Sequence, residues 1–218
     1  MSTKETKFFD LAMKSDSLLL GDFTLKSGKQ SPYFFNIGSF FNTGLINQLS
    51  DLYSELILES DFTFDVIFGP AYKGIPLASV VSASLSSKTN KSIPFAFDRK
   101  EEKKHGEGGN IVGSLKGKKV LVIDDVLTAG TALKESIGVI EAEGGALSAC
   151  VVALDREERV DGSIARDVIK EEHGIEIFSL ARISTLVDYL DSLGKEHDAE
   201  IIRNHISNCY CLPVLSKK

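Results

Sequence analysis

The sequence has 218 residues, of which 43% are apolar and 26% are charged, and its net charge is −6. This length can bury a substantial core without disulfides or structural metal, so we expect a single domain over residues 1–218. The composition excludes a disordered or fibrous chain, and the acidic balance argues against a nucleic-acid partner.

The N-terminal region mixes helical and strand patterns. Apolar residues between positions 8 and 20 have helical spacing, and Gly21 suits the end of a helix. Two short strands are predicted at 23–26 and 33–37, on either side of the polar turn 27–32. Residues 44–60 then carry the apolar stripe of an amphipathic helix.

From residue 65 onward, strand and helix patterns alternate. Strands are predicted at 65–68, 93–97, 120–123, 147–154 and 175–180, with helices at 73–87, at 130–143 and before the last strand. Such alternation is typical of a doubly wound α/β domain, in which helices flank a mostly parallel sheet.

The polar, glycine-bearing run at 99–113 interrupts this alternation. Long loops in compact domains are usually functional or disordered, and Gly106, Gly108, Gly109 and Gly113 favour movement. We therefore predict a mobile functional loop here, with a solvated surface segment as the alternative.

Several features predict a cytoplasmic protein without a membrane partner. Cys150, Cys209 and Cys211 cannot all pair within one chain, which fits a reducing compartment. The N-terminus has no apolar core typical of a secretory signal. No apolar run approaches the roughly 20 residues that a membrane helix needs.

Residues 120–132 carry the strongest chemical signal. An apolar strand runs into Asp124 and Asp125, and a Thr-Ala-Gly-Thr turn at 128–131 then opens a helix. Such a turn presents backbone N–H groups and hydroxyls to a phosphate, while paired carboxylates accept hydrogen bonds from neighbouring sugar hydroxyls or bind hydrated magnesium. This pattern predicts a ribose-phosphate site. The alternative is that the acids merely cap the helix.

Residues 120–132 resemble the diphosphoribosyl-binding signature of the type I phosphoribosyltransferases. The resemblance implies that family's fold, with a small N-terminal hood at about 1–40. It also implies that Asp124 and Asp125 hold the ribose of 5-phosphoribosyl-1-diphosphate. The same ligand would be bound by the residues that follow them: Val126, Leu127, Thr128, Ala129, Gly130, Thr131 and Ala132.

Other segments are similar to the orotate-specific branch of this family. The resemblance implies that Arg99, Lys100, Lys103 and His105 of the loop contact the diphosphate, as do Tyr72 and Lys73 of the turn at 68–76. Cations that close over a leaving diphosphate stabilise its developing charge. Taken alone, the Gly-Pro turn and its lysine are common features of protein sequences.

The N-terminal hairpin and Arg156 are the parts that the resemblance assigns to the base. It implies that Lys26 approaches the reacting ligands and that Phe34, Phe35, Thr128 and Arg156 bind orotate. A guanidinium suits the planar carboxylate of orotate, to which it donates two parallel hydrogen bonds. Without the resemblance, the two phenylalanines would be assigned to the core and Lys26 to the surface. Arg156 would then form a surface ion pair with Asp155 and Glu157.

The resemblance, which runs from about residue 8 to about residue 190, implies a magnesium-dependent reaction. The 5-phosphoribosyl group passes to N1 of orotate, giving orotidine 5′-monophosphate and diphosphate. The implied catalytic residues are Lys26, Lys73, Lys103, His105 and Asp125. Magnesium would arrive with the diphosphate, with water-mediated contact from Asp124 and Asp125. The resemblance also implies a homodimer in which loop residues reach the partner's active site.

Two alternatives remain open. Another phosphoribosyltransferase would use a purine or uracil on the same sugar-phosphate site, although the cationic loop, the Phe-Phe hairpin and Arg156 suit a carboxylated pyrimidine. A non-catalytic regulator would keep the site as a sensor, although the acidic balance argues against the nucleic-acid surface that such a protein needs.

Overall fold

The computed structural model describes residues 2–25, 28–99 and 110–210, with only the backbone for 208–210. The helices are α1 (Thr3–Lys14), α2 (Gly38–Thr43), α3 (Ile46–Glu59), α4 (Gly74–Thr89), α5 (Thr131–Ala142), α6 (Ala165–His173), α7 (Ile183–Ser192) and α8 (Glu196–Tyr210). The strands are β1 (Leu18–Thr24), β2 (Gln30–Phe35), β3 (Val66–Gly69), β4 (Phe95–Asp98), β5 (Ile111–Val112), β6 (Lys119–Leu127), β7 (Ala146–Asp155), β8 (Arg159–Val160), β9 (Ser163–Ile164) and β10 (Glu176–Arg182). No helix within these ranges combines the length and apolar character needed to cross a membrane.

The central sheet confirms the predicted α/β architecture. Its strand order is β10-β7-β6-β3-β4-β5, and all neighbours are parallel except the edge pair β4–β5. The strands β1 and β2 form a separate antiparallel hairpin, and β8 pairs with β9 in another. Parallel strands require helical crossovers, and these helices cover both faces of the sheet.

Alternate side chains of β6 build the two halves of the core. Leu121 and Ile123 face the side covered by α1, α3, α4, α7 and α8, whereas Val120 and Val122 face α5 and α6. Successive strand residues point to opposite faces, and both faces are covered here. This explains why the strand is a continuous apolar run rather than an alternating one.

The prediction that the first helix continues to Gly21 is wrong. Helix α1 ends at Lys14, and Asp16 then adopts a φ of +54°. Leu18–Thr24 is strand β1, in which Leu18, Leu19 and Leu20 pair with the last residues of β2. Hydrogen bonding to β2 therefore overrides a helical spacing that is too short to be decisive.

The predicted loop at 99–113 is shorter than expected. The N–H of Arg99 donates to the carbonyl of Asn110 at 2.7 Å, and Ile111–Val112 forms strand β5 against Asp98 and Phe97. The two ends of the segment are thus joined as an antiparallel pair on the edge of the sheet. Residues 100–109 lie outside the described ranges.

Candidate active site

The predicted site residues lie together at the carboxyl ends of four parallel strands. The segments at 70–73, 98–99, 124–132 and 155–158 lie at or beyond the carboxyl ends of β3, β4, β6 and β7. In open α/β sheets, ligands bind outside the carboxyl ends of the strands. The topology therefore gathers segments that are far apart in sequence.

Asp124 and Asp125 lie inside β6 rather than beyond it, because the strand continues to Leu127. Lys73, at the start of α4, places its ammonium nitrogen 3.0 Å from an Oδ2 of Asp125. The N–H of Asp125 donates to Oδ1 of Asp124 at 2.8 Å. The lysine and the two carboxylates, predicted from separate motifs, therefore form one cluster.

Burial, followed by the negative charge of Asp125, raises the pKa of Asp124 from an ordinary value of 3.8 to about 7. The hydrogen bond from the N–H of Asp125 and the charge of Lys73 act in the opposite direction. The carboxyl group therefore titrates near neutral pH. It can accept hydrogen bonds from a sugar hydroxyl when ionised and donate one when protonated.

Tyr53 of α3 stabilises the backbone at the acid pair. Its hydroxyl donates to the backbone carbonyl of Asp124 at 2.7 Å, and its side chain is fully buried. The pairing of β3 with β6 stops at Val122, so Asp124 lies where β6 has a strand neighbour only on the β7 side. Burial, followed by the charges of Asp125 and Asp124, raises the pKa of Tyr53, which keeps the hydroxyl a donor.

The turn after β6 leaves the N-terminus of α5 open. The helix begins at Thr131, and its N-cap residue Gly130 has a φ of +82° and provides no side-chain cap. The alternative in which the acids cap this helix is therefore wrong. Among the described residues, the hydroxyls of Thr128 and Thr131 have no protein hydrogen-bond partner, and Ala129 and Ala132 are exposed. A phosphate is the ligand that such a helix end favours.

Gly130 has a second requirement that the sequence does not reveal. A Cβ at this position would lie 2.5 Å from Cδ1 of Ile169 in α6. The glycine therefore leaves room for the Ile169 side chain and also permits the left-handed turn. Val126 and Leu127, which precede the turn, contribute partly buried and buried side chains to the packing of the sheet.

The turn between β3 and α4 is held by close backbone packing. A Cβ on Gly69 would lie 2.2 Å from the carbonyl oxygen of Gly74. Oδ1 of Asp98, at the end of β4, accepts a hydrogen bond from the N–H of Ala71 at 2.6 Å. These contacts fix the turn that presents Tyr72, which is 66% exposed, and Lys73.

Arg156 does not pair with Asp155 and Glu157. Those two carboxylates pair with Arg166 of α6, at 2.7 and 3.5 Å. Nε of Arg156 instead donates to the hydroxyl of Tyr33 at 2.9 Å and lies 3.3 Å from an Oε1 of Glu158. The backbone N–H of Arg156 donates to the carbonyl of Leu127, which joins this segment to the end of β6.

The hairpin places Phe34 and Phe35 on opposite faces of β2. Phe35 packs against Phe8 and the main core, whereas Phe34 is 40% exposed and contacts Phe23. Tyr33 and Phe35 alternate with Phe34, so the two phenylalanines cannot share one face. Their predicted roles at the base remain predictions.

The loop cations are only partly within the described residues. Arg99 is partly buried at the end of β4, and its backbone joins Asn110. Lys26, Lys100, Lys103 and His105 lie outside the described ranges, so their predicted contacts remain predictions.

Sequence reasoning missed Tyr53, Tyr33 and Asp98. Asp98 had a signal, because it is an acid at the end of an apolar strand beside the cationic run. The two tyrosines had none, since each is a buried side chain that reaches the site from a remote segment.

Magnesium bound through the diphosphate, with water-mediated contact from Asp124 and Asp125, stays a prediction. No group of three or more metal-binding side chains occurs in the described ranges, and one oxygen of Asp125 is engaged by Lys73. Magnesium keeps several waters and often binds through one or two carboxylates together with substrate phosphates. A pair of adjacent carboxylates beside a phosphate site fits that requirement.

Comparison with known proteins places this geometry in a family. A phosphoribosyl transferase domain model matches residues 42–179. The chain is 45% identical to an orotate phosphoribosyltransferase from Yarrowia lipolytica, with 94% of this chain and 96% of the relative covered. It is 49% identical to one from Marinobacter nauticus, with 88% and 91% covered. A crystal structure of orotate phosphoribosyltransferase from Francisella tularensis superposes with a TM-score of 0.81 at 37% identity, covering 92% of this chain and 98% of that one.

Proposed function

The chain belongs to the orotate phosphoribosyltransferases, and we propose that its substrates are orotate and 5-phosphoribosyl-1-diphosphate, joined in a step of pyrimidine nucleotide synthesis. The bond from ribose C1 to the diphosphate oxygen breaks, and a bond from C1 to N1 of orotate forms with inversion. Orotidine 5′-monophosphate and diphosphate are the products. The nucleophile is the N1 anion, which requires no strong enzymatic base.

The observation that carries this proposal is the cluster of Lys73, Asp125 and Asp124 beside an uncapped helix. Asp124 and Asp125 accept hydrogen bonds from the ribose hydroxyls, and the open end of α5 with Thr128 and Thr131 binds the 5′-phosphate. The Lys73 ammonium has three donors. One of them faces Asp125, which leaves the others for the diphosphate.

Charge must be neutralised on the departing diphosphate. We assign this role to Lys73 together with Arg99, Lys100, Lys103 and His105. Positively charged groups aimed at developing negative charge act most strongly where water is excluded. Magnesium, when bound with the diphosphate and contacted through water by Asp124 and Asp125, would supply further positive charge to the diphosphate.

The base is recognised by Arg156 in this proposal. Its guanidinium matches the planar carboxylate of orotate, which uracil and the purines lack. Lys26, Phe34, Phe35 and Thr128 complete the proposed contacts to the base and the reacting atoms. We also propose a cytoplasmic location, which is supported by the buried free thiol of Cys150.

The decisive experiment follows the loss of orotate absorbance when protein, orotate, 5-phosphoribosyl-1-diphosphate and magnesium are mixed. We expect turnover that requires all components and falls by about 10²-fold or more in Lys103→Ala, the size of effect seen when one electrostatic stabiliser is removed. Lys88→Ala is the matched control, because Lys88 forms an ion pair with Asp51 on the surface. Turnover of hypoxanthine, adenine or uracil without turnover of orotate would contradict the proposal.

We further propose a homodimer in which the loop of one subunit serves the site of its partner. Lys103→Ala and Asp125→Asn would each be inactive alone. A mixed dimer would contain one site with an intact loop and intact acids, so subunit exchange should restore about a quarter of wild-type activity. No recovery after demonstrated exchange would contradict shared sites.

A further inference from the structure

The hydroxyl of Tyr33 and the side chain of Arg156 meet across 123 residues of sequence. Tyr33 lies on β2 of the hairpin and is 2% exposed, while Arg156 follows β7 and its side chain is 15% exposed. Nε of Arg156 donates to the hydroxyl at 2.9 Å, and the guanidinium carbon lies 5.1 Å from the centre of the ring. The hairpin therefore contacts the one arginine assigned to the base.

These contacts occupy the Nε–H donor of the Arg156 guanidinium. Nε faces the Tyr33 hydroxyl and, at 3.3 Å, a carboxylate oxygen of Glu158. Among the described residues, the two Nη groups have no hydrogen-bond acceptor. A carboxylate bound by two parallel hydrogen bonds can use those Nη groups, and the tyrosine then fixes the direction in which they point.

Helix α8 buttresses Tyr33 from the C-terminal end of the chain. The ring of His205 packs edge-on against the ring of Tyr33, at a centroid distance of 6.1 Å and an interplanar angle of 84°. Edge-to-face contacts of this kind contribute modestly but fix relative orientation. The helix thus contacts the side chain that Arg156 binds, and His205 also lies close enough to Arg156 for the guanidinium charge to lower its pKa, after the larger effect of burial.

We propose that Tyr33, held by His205, is a positioning residue that orients Arg156 for the carboxylate of the base. The inference rests on the proposed function, since it deepens the role given to Arg156. It adds two residues to base selection, one from the hairpin and one from the C-terminal helix. Neither needs to touch the substrate, because both act through the guanidinium.

Nucleotide binding isolates this role from catalysis. Orotidine and uridine 5′-monophosphates share sugar and phosphate and differ in the carboxylate, so their affinity ratio, measured by titration calorimetry, reports carboxylate recognition. Tyr33→Phe keeps the ring and removes the hydroxyl. We expect about a tenfold loss of orotidine 5′-monophosphate affinity with uridine 5′-monophosphate affinity unchanged, the effect of one hydrogen bond to a charged group.

Tyr189→Phe is the matched control, because its hydroxyl donates to Asp10 at 2.7 Å, in a bond that involves neither Arg156 nor the hairpin. Its affinity ratio should equal that of the wild type. Unchanged affinities in Tyr33→Phe, or an equal loss of affinity for both nucleotides, would overturn the inference. A wild-type protein that shows no preference for orotidine 5′-monophosphate would instead overturn the proposed function.

Variants of His205 test the buttress even if Tyr33→Phe does not fold. His205→Ala should lower the affinity ratio by about threefold, whereas His205→Phe preserves an aromatic edge and should retain the wild-type ratio. In steady-state assays, His205→Ala should raise the KM for orotate while kcat and the KM for 5-phosphoribosyl-1-diphosphate stay unchanged. Equal ratios in the wild type and His205→Ala would remove α8 from the proposal.

Discussion

The proposed sugar-phosphate half and the proposed base half of the site are built in different ways. The first is formed by consecutive residues of β6 and the start of α5, with one additional turn after β3. The second joins Tyr33 of the hairpin, Arg156 after β7 and His205 of the C-terminal helix. The first half is thus mostly one stretch of sequence, whereas the second brings together three distant segments.

Because of this difference, we expect the two halves to tolerate substitutions differently. The sugar-phosphate half depends on backbone geometry, because a Cβ on Gly69 would overlap the carbonyl group of Gly74 and the N-terminus of α5 presents main-chain groups. The base half depends on side chains that hold one another. A single added methyl group should therefore disrupt the first half, whereas the second should change its affinity gradually.

The largest effect should come from Gly69→Ala. The new Cβ would lie 2.2 Å from the Gly74 carbonyl oxygen and 2.7 Å from Cβ of Ala78, and backbone atoms cannot move aside as side chains do. We expect a loss of about 3 kcal/mol or more in unfolding free energy, or failure to fold. For a chain of this size, thermal unfolding should show a fall of roughly 6–12 °C.

Gly138→Ala is the control for that experiment. Gly138 lies inside α5, and an added Cβ would meet nothing within 4 Å. Alanine in a helix interior is favoured over glycine by about 0.5–1 kcal/mol, so this variant should be slightly more stable than the wild type. If Gly69→Ala were equally well tolerated, the rigidity assigned to the sugar-phosphate half would be wrong.

An intermediate effect should appear when the unfolding free energy of Asp124→Asn is measured as a function of pH. The folded-state pKa of Asp124 is raised to about 7 from an ordinary value of 3.8, so the protonated form is favoured in the folded protein. The associated stability is present below pH 3.8 and is lost as pH rises through 7. The unfolding free energy of Asp124→Asn, relative to the wild type, should therefore increase between pH 5 and pH 8.

Denaturant unfolding at several pH values measures that difference. Asp61→Asn, at an exposed position, is the matched control and should run parallel to the wild type across the same range. Parallel curves for Asp124→Asn as well would show that the carboxyl group is not buried with a raised pKa. The same titration on the ligand-bound protein would show whether the ribose favours the ionised form.

The smallest effect should come from Tyr53→Phe, the counterpart of Tyr33→Phe in the other half. Losing the hydroxyl leaves the carbonyl of Asp124 without this donor, at a cost of about 1–2 kcal/mol in stability. We expect the KM for 5-phosphoribosyl-1-diphosphate to rise by about threefold while the KM for orotate is unchanged. Steady-state kinetics with each substrate varied separately would check this, and a change confined to orotate would contradict the division of the site.

The residues of the proposed sugar-phosphate half can be recognised in the sequence because their signals are local. The alternation of strand and helix patterns indicated the parallel sheet, and Asp124, Asp125 and the turn at 128–131 were recognisable as one motif. The structure adds that Lys73, predicted from a separate motif, pairs with Asp125. Strand ends in such a sheet converge, so separate motifs at those ends can be expected to meet.

Strand β1 and the partners of Arg156 could not be predicted from the sequence because they depend on long-range pairing. Leu18–Leu20 have a spacing compatible with a helix, and only β2 makes them a strand. Arg156 lies between two carboxylates in sequence, but Arg166 takes both of them in the fold. No local pattern distinguishes these outcomes, since each is decided by a partner from another part of the chain.

The hydrogen bond between the N–H of Arg99 and the carbonyl of Asn110 has a consequence for the length of the segment between them. The intervening segment begins and ends at the same point on the edge of the sheet, so its length is independent of the spacing between secondary-structure elements. In general, doubling the length of a closed loop costs only about 0.6 kcal/mol in chain entropy. The sheet therefore places little constraint on the length of this segment, and any such constraint would come from the proposed roles of Lys100, Lys103 and His105.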